Sequence, residues 1–272
     1  MPPKTRAILT VHLAGWPCDM DPIMDLAAES GLKVIEDCAQ AHGATYKGRK
    51  VGSIGDVAAF SFCQDKIITT GGEGGMLTTN SEEIWSYIWS YKDHGKSYDA
   101  VYHQEHPVGF RWLHHHFGSN WRMTEMQAAM GRIQLQALDQ SLHIRRGNAA
   151  TLHRGFSDIS ALRLPDVPEF INHAYYKYYV FIRSDSLKNG WDRDRVILAI
   201  NEEGVPCFGG SCSEIYLEKS FSNAGIFPMV RLPVARALGE QSLMFVVHPT
   251  LNENELQTTI AAVRKVFSHA SQ

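Results

Sequence analysis

The sequence has almost no net charge and no long apolar run, and these two shortages exclude whole classes of function. Its 272 residues hold 26 Lys plus Arg against 29 Asp plus Glu, a formal charge of −3. No cationic excess marks a surface for nucleic acid or an anionic bilayer. The first apolar stretch, Ala7 to Val11, ends at His12 and is too short for the core of a signal peptide. No other segment approaches the roughly 20 apolar residues of a spanning helix. Cysteine is sparse: Cys18, Cys38, Cys63, Cys207 and Cys212 are odd in number, widely spread and contain no C-x-x-C pair. Neither a disulfide framework nor a zinc knuckle is indicated, and reduced thiols in a cytoplasmic protein are the simplest reading.

Several catalytic signatures are missing too. A nucleotide P-loop places its Lys after the glycines and directly before Ser or Thr, whereas Lys66 precedes the run Gly71-Gly72-Glu73-Gly74-Gly75. Ser61 has no G-x-S-x-G elbow around it. The triple His114-His115-His116 lacks H-x-x-x-H or H-E-x-x-H spacing, and adjacent side chains point in different directions, so no metal is indicated. There is no internal repeat.

What the chain does have is core-forming material, 44% hydrophobic and 10% aromatic. In its first half, short apolar runs alternate with helical patterns, which favours an α/β arrangement. Strands are expected over Ala7 to His12, Leu32 to Ile35, Val57 to Phe62 and Met76 to Thr79. Asp21 and Pro22 offer an N-cap and N1 proline for a helix that Gly31 stops. A third helix is expected from Ser81. Thr124 and Gln127 form a capping-box pattern opening a long helix, with Met126, Ala129, Met130, Ile133 and Ala137 on one face. Past about residue 148 the alternation loosens. An aromatic strand Tyr175 to Ile182, a helix Asp192 to Glu202, strands at Val205 to Phe208 and Leu243 to Val247, and a closing helix capped by Asn252 and Glu255 read as a small α+β domain. The predicted division is 1–148 and 149–272.

The densest chemistry is Glu36-Asp37-Cys38-Ala39-Gln40-Ala41-His42, followed by Phe60-Ser61-Phe62-Cys63-Gln64-Asp65-Lys66 and the glycine run. Singly, a carboxylate after a strand serves as well as an N-cap or ion-pair partner, a loop lysine as solvated surface, and a glycine cluster as a turn. Together, the stretch from Val34 through Leu77 resembles the sugar-nucleotide aminotransferases of the DegT/DnrJ/EryC1/StrS family, which depend on pyridoxal 5'-phosphate. The resemblance continues through WSYKDHGK at 89–96 and GSNWRMTEMQAAMGRIQL at 118–135, and more thinly through WDRDRVILAINEEGVPC and FVVHPTLNENEL.

The resemblance implies an aspartate aminotransferase-like large domain with a mainly parallel sheet, plus a smaller α+β C-terminal domain. It implies that Lys66 forms the internal aldimine and shuttles the proton, and that Asp37 pairs with the pyridinium nitrogen. Gln40 would lie beside the cofactor ring and its phenolic oxygen, and Ser61 would bind the phosphate. Asn120 would reach the phosphate of the other subunit of a homodimer, and Arg122 would meet an anionic group of the donor or nucleotide diphosphate. The Gly71 to Gly75 run would approach the site closely, with Glu73 structural. The implied substrates are a nucleotide-linked keto-deoxysugar and an amino-acid donor, L-glutamate, in surface polysaccharide or glycosylated metabolite synthesis.

Family members begin with a further segment before the strand at Ala7, supplying a Gly-Thr phosphate loop, a ring-stacking aromatic and dimer surface. The large domain is therefore expected to be truncated at its start. Each lost charge-assisted hydrogen bond would weaken cofactor binding by about 1.5 to 3 kcal/mol. Two other readings stay open: a non-catalytic paralogue or fragment that folds or associates without turnover, and a family member acting on a cyclitol or carbocyclic precursor. Lys66 favours catalysis, since relatives that dehydrate sugars carry His at that position.

Overall fold

A computed structural model describes residues 4–106, 108–109, 111–226 and 230–272. They form two compact units. One is the chain through Ser141 together with Glu169–Ala174; the other is Leu142–Pro168 with Tyr175–Gln272.

The first unit opens with β1 (Ala7–Val11), α1 (Met20–Ser30) and β2 (Lys33–Asp37). The short hairpin β3 (Thr45–Tyr46) and β4 (Arg49–Lys50) follows, then β5 (Val57–Ser61) and β6 (Gly75–Thr78). β1, β2 and β5 pair in parallel and β6 runs antiparallel at the edge, in the order β1-β2-β5-β6. α1 lies on one face of this sheet, where Met20, Ala27, Val34 and Tyr46 are buried with Ile8, Ile23 and Met24 packed against them. Its N-cap is Asp19, two residues earlier than expected. Asp21 instead sits in the first turn, where its carboxylate accepts from Lys47 at 2.7 Å and pairs with Arg49. Gly31 ends the helix at φ 64°, the left-handed conformation a glycine C-cap supplies.

The second strand is longer than the expected Leu32 to Ile35, and this matters for the site. Glu36 and Asp37 are its last two residues rather than the loop after it. Successive strand side chains alternate between faces. Glu36 therefore enters the core beneath the sheet at 0% exposure, while Asp37 faces the other way.

α2 (Glu82–Lys92) is capped by Ser81, whose hydroxyl accepts from the Ile84 N–H. α3 (Tyr98–Tyr102) follows, and α4 (Glu125–Gln136) opens on the Thr124–Gln127 capping box. The expected long helix ends at Ala137, which caps α4 before α5 (Leu138–Phe156) begins. The apolar stripe of α4 faces outward: Met126 is 81% and Ile133 66% exposed. Helical periodicity lines apolar side chains up on one face but does not say what covers that face.

β7 (Leu162–Arg163) belongs to the second unit, whereas β8 (Ile171–Asn172) joins the first by pairing with β3. The second unit continues through β9 (Tyr178–Ile182), α6 (Arg193–Glu202), β10 (Cys207–Phe208), α7 (Lys219–Asn223), α8 (Pro233–Gln241), β11 (Ser242–Phe245) and α9 (Glu253–Ala270). Its sheet, β10-β11-β9-β7, is antiparallel throughout. Tyr178, Val180 and Ile182 alternate inward from β9 and meet Leu152, Phe156, Val196, Ile200, Leu243, Phe245 and Val263. β9 starts later than the expected Tyr175, which is held at φ 49° and cannot be extended strand. Asp192 caps α6, and Asn252 with Glu255 forms a complete capping box on α9. Among the described residues no helix is long and apolar enough to cross a membrane.

Candidate active site

The parallel pairing brings the carboxyl ends of β1, β2 and β5 to one edge of the sheet, where open α/β sheets hold their ligands. Val11, Asp37 and Ala59 are in register across these strands. Asp37 Oδ1 accepts the Ala39 N–H at 3.0 Å. Around it the sheet face is open, with Leu9 61% and Val11 45% exposed. Ser61 lies two residues beyond Ala59, hence on the same face as Asp37. Its Oγ accepts the Cys63 N–H at 3.3 Å, which leaves the hydroxyl hydrogen to donate.

Gln40 follows in the turn after β2. Its Oε1 accepts the Ala14 N–H at 2.7 Å, which orients the amide so that Nε2 is the end presented elsewhere. Lys66 comes just after β5, in a turn closed by its own N–H to the Cys63 carbonyl at 3.0 Å. Its side chain is 16% exposed and its Nζ lies 3.6 Å from Asp65 Oδ1. The glycine run is packed against its own supports. A Cβ on Gly75 would lie 2.9 Å from the Phe60 carbonyl oxygen. The Glu73 carbonyl accepts from Thr70 Oγ1 at 2.9 Å and from Gln127 Nε2 at 2.8 Å, tying the loop to the start of α4.

Asn120 is exposed and forms a backbone bridge with Asp93. Arg122, expected to meet an anionic substrate group, is bound to the Asp93 carboxylate. Burial works against charge on Asp93, yet Lys96 at 3.2 Å and Arg122 together hold its carboxyl below the usual range. Arg122 thus secures the segment that carries Asn120. His114, His115 and His116 are exposed.

Sequence reasoning passed over His12 and gave Glu36 no role. Both are 0% exposed, with His12 Nε2 3.1 Å from Glu36 Oε2. Glu36 also accepts the N–H groups of Gly52, Ile54 and Gly55 at 2.9, 2.8 and 2.7 Å. Burial disfavours its charge, but these donors hold its carboxyl below the ordinary value. Ligand atoms of His12, Glu36 and Cys38 lie within 4.8 Å of one another. They do not suit a metal, because four donors occupy the four lone-pair sites of the carboxylate. No local pattern joins residues 24 positions apart, so only the strand register could reveal this pair.

The available donor set is a carboxylate, an amide N–H, a hydroxyl and a largely sequestered amine, all at the ends of parallel strands. It suits pyridoxal phosphate, whose ring nitrogen, phenolic oxygen, phosphate and aldehyde ask for those groups in turn. The fold agrees. The solved structure of an aminotransferase from Psychrobacter cryohalolentis superposes with a TM-score of 0.94 at 59% identity, covering 97% of this chain and 69% of that one. This is the architecture of pyridoxal phosphate-dependent aminotransferases of fold type I.

The family model matches residues 1–264, and the chain belongs to the DegT/DnrJ/EryC1/StrS aminotransferase family. It is 34% identical over 269 residues to GDP-perosamine synthase of Caulobacter vibrioides, covering 97% of this chain and 67% of the relative. It is 32% identical over 271 residues to dTDP-3-amino-3,4,6-trideoxy-alpha-D-glucose transaminase of Streptomyces venezuelae, covering 99% and 66%. The chain thus spans about two thirds of the length of these relatives.

Proposed function

We propose that the chain carries the cofactor site of an enzyme that transfers an amino group from L-glutamate to the keto group of a nucleotide-linked deoxysugar, in surface polysaccharide or glycosylated metabolite synthesis. The names of the relatives, a GDP-sugar synthase and a dTDP-sugar transaminase, support the acceptor class. The observation that carries the reading is the placement of Lys66, largely sequestered just past β5, beyond a strand whose last residue Ser61 shares a sheet face with Asp37.

Pyridoxal phosphate, when bound, supplies an electron sink for the substrate carbanion. The residues do the rest. Lys66 offers the amine that links the cofactor and afterwards moves the proton at the reacting carbon. Asp37 keeps the ring nitrogen protonated through the carboxylate oxygen that Ala39 does not use. The Ser61 hydroxyl and the Gln40 amide donate to the phosphate and phenolic oxygens without adding charge. Asn120 reaches the phosphate of a second copy in a homodimer. Exposed Phe117 and Trp121, close to Asn120 in the chain, and Met126 and Ile133 on α4 offer apolar area for that contact. The five free thiols suit a cytoplasmic setting.

A second reading, association without turnover, is favoured by the open face at Leu9 and Val11. Adding pyridoxal phosphate to the purified chain and to Lys66→Ala tests the first reading. A visible absorbance band distinct from free cofactor should develop in the parent and be missing in the variant. Spectra matching free cofactor in both would leave the second reading standing.

A further inference from the structure

The turn after β1 touches the candidate site at three points, though it supplies none of the residues assigned to the cofactor. The His12 N–H donates to the Asp37 carbonyl at 3.1 Å. The Ala14 N–H donates to Gln40 Oε1 at 2.7 Å. The His12 ring meets Glu36, the residue before Asp37, at 3.1 Å. We propose that His12 and Ala14 are positioning residues that fix Asp37 and Gln40 for the cofactor. This rests on the reading of the preceding subsection.

The geometry determines the state of the His12 ring. Nδ1 accepts the Cys18 N–H at 3.0 Å, so it carries no proton of its own. Nε2 is therefore the protonated nitrogen and donates to Glu36, which makes the ring a neutral donor beside a buried carboxylate. Glu36 gathers three further N–H groups from the loop 52–55. That loop has little freedom. Gly52 sits at φ 86° with the Phe60 ring where a Cβ would go, and a Cβ on Gly55 would lie 2.9 Å from the Val34 carbonyl oxygen. The Glu36 side chain is thus held from both sides beneath the sheet. Asp37, one peptide further, has little room to shift above it.

Ala14 acts through its backbone. It is held at φ 58°, a left-handed value that a residue with a Cβ rarely adopts. In that conformation its N–H faces Gln40 and fixes which end of the amide is presented. A glutamine free to flip would present acceptor and donor in turn to the phenolic oxygen. The fixed one presents only the donor. Preorganisation of this kind is what holds a binding group in a single productive geometry.

The test compares the parent with His12→Ala and His12→Gln. The Gln Nε2 can still donate to Glu36, whereas Ala cannot. His12→Ala should weaken pyridoxal phosphate binding on the order of tenfold, as loss of a supporting hydrogen bond does at other sites. It should also shift the pH dependence of the visible band, and His12→Gln should restore most of both. Equal affinity and an unshifted profile in His12→Ala would overturn the proposal.

Nuclear magnetic resonance of the cofactor-free chain is the second measurement, and it separates this proposal from the cofactor reading. The His12 ring should hold its proton on Nε2 with Nδ1 bare, and the Ala39 N–H, which binds the Asp37 carboxylate, should give a signal that shifts in His12→Ala. A doubly protonated ring, or an Ala39 signal unchanged by the substitution, would overturn the positioning role even where the cofactor binds. Absence of a Lys66-dependent band in a parent with these signals intact would count against the cofactor reading alone. If His12→Ala does not fold, the His12→Gln signals and affinity decide.

Discussion

Glu36 and Asp37 are neighbours in the chain and look to opposite sides of one sheet. The first is sealed beneath it with four hydrogen bonds; the second stands on the open face beside Val11 and Ala59. A single-residue alternation therefore separates a carboxylate that builds the scaffold from one that is available for chemistry.

That difference predicts contrasting behaviour on neutralisation. Asp37→Asn should leave the Lys66-dependent absorbance band largely intact, while amino transfer to a nucleotide keto-sugar falls on the order of 100-fold or more. A coupled assay for the amino donor, with spectra recorded alongside, checks both halves. Equal transfer by parent and variant would remove Asp37 from its role.

The outward stripe of α4 is testable by mass. Sedimentation of the parent should give a dimer, and Ile133→Asp or Met126→Asp should shift it to the monomer, because a carboxylate placed in an apolar contact loses its hydration. A parent that sediments as a monomer at all accessible concentrations would end the homodimer proposal.

The two units contain apolar residues in opposite circumstances. Leu152 is 0% exposed in the second unit, and Leu152→Ala should cost about 2 to 5 kcal/mol in urea unfolding of that unit. Leu9 is 61% exposed, and Leu9→Ala should stay within about 0.5 kcal/mol. A large loss at Leu9 would mean that something covers this face in solution.

Acid stability should depend on Glu214. Arg231 and Tyr216 hold its carboxyl down from 4.5 to about 2. A carboxyl lowered by folding contributes stability that is fully present above its unfolded value and lost as pH falls through the folded one. The contribution should thus fade between about 4.5 and about 2. Arg231→Gln should flatten the unfolding midpoint against pH across this window, and an unchanged acid limb would contradict the assignment.

Much of the architecture was legible because it is written in local chemistry. The Thr124–Gln127 and Asn252–Glu255 capping boxes sit where their side chains announced them. The β-branched runs became the parallel strands, and the family motifs marked Asp37, Gln40, Ser61 and Lys66. Boundaries slipped where a backbone angle intervened, as at Tyr175, or where a neighbouring strand extended the ladder, as at Glu36 and Asp37. The engagement of Arg122 by Asp93, 29 residues away, had no local signal.

Residue types and their spacing determined, without any coordinates, the kind of fold, and the motifs they form carried the resemblance to the family, from which Lys66, Asp37 and Ser61 are proposed as cofactor ligands. Tertiary structure alone decided which of two adjacent carboxylates is buried, which end of Gln40 points outward, and that His12 supports the strand carrying Asp37. The reason is physical: side-chain chemistry and periodicity belong to the chain, whereas burial and hydrogen-bond partners come into being only when strands whose paired residues lie 26 positions apart are laid in register.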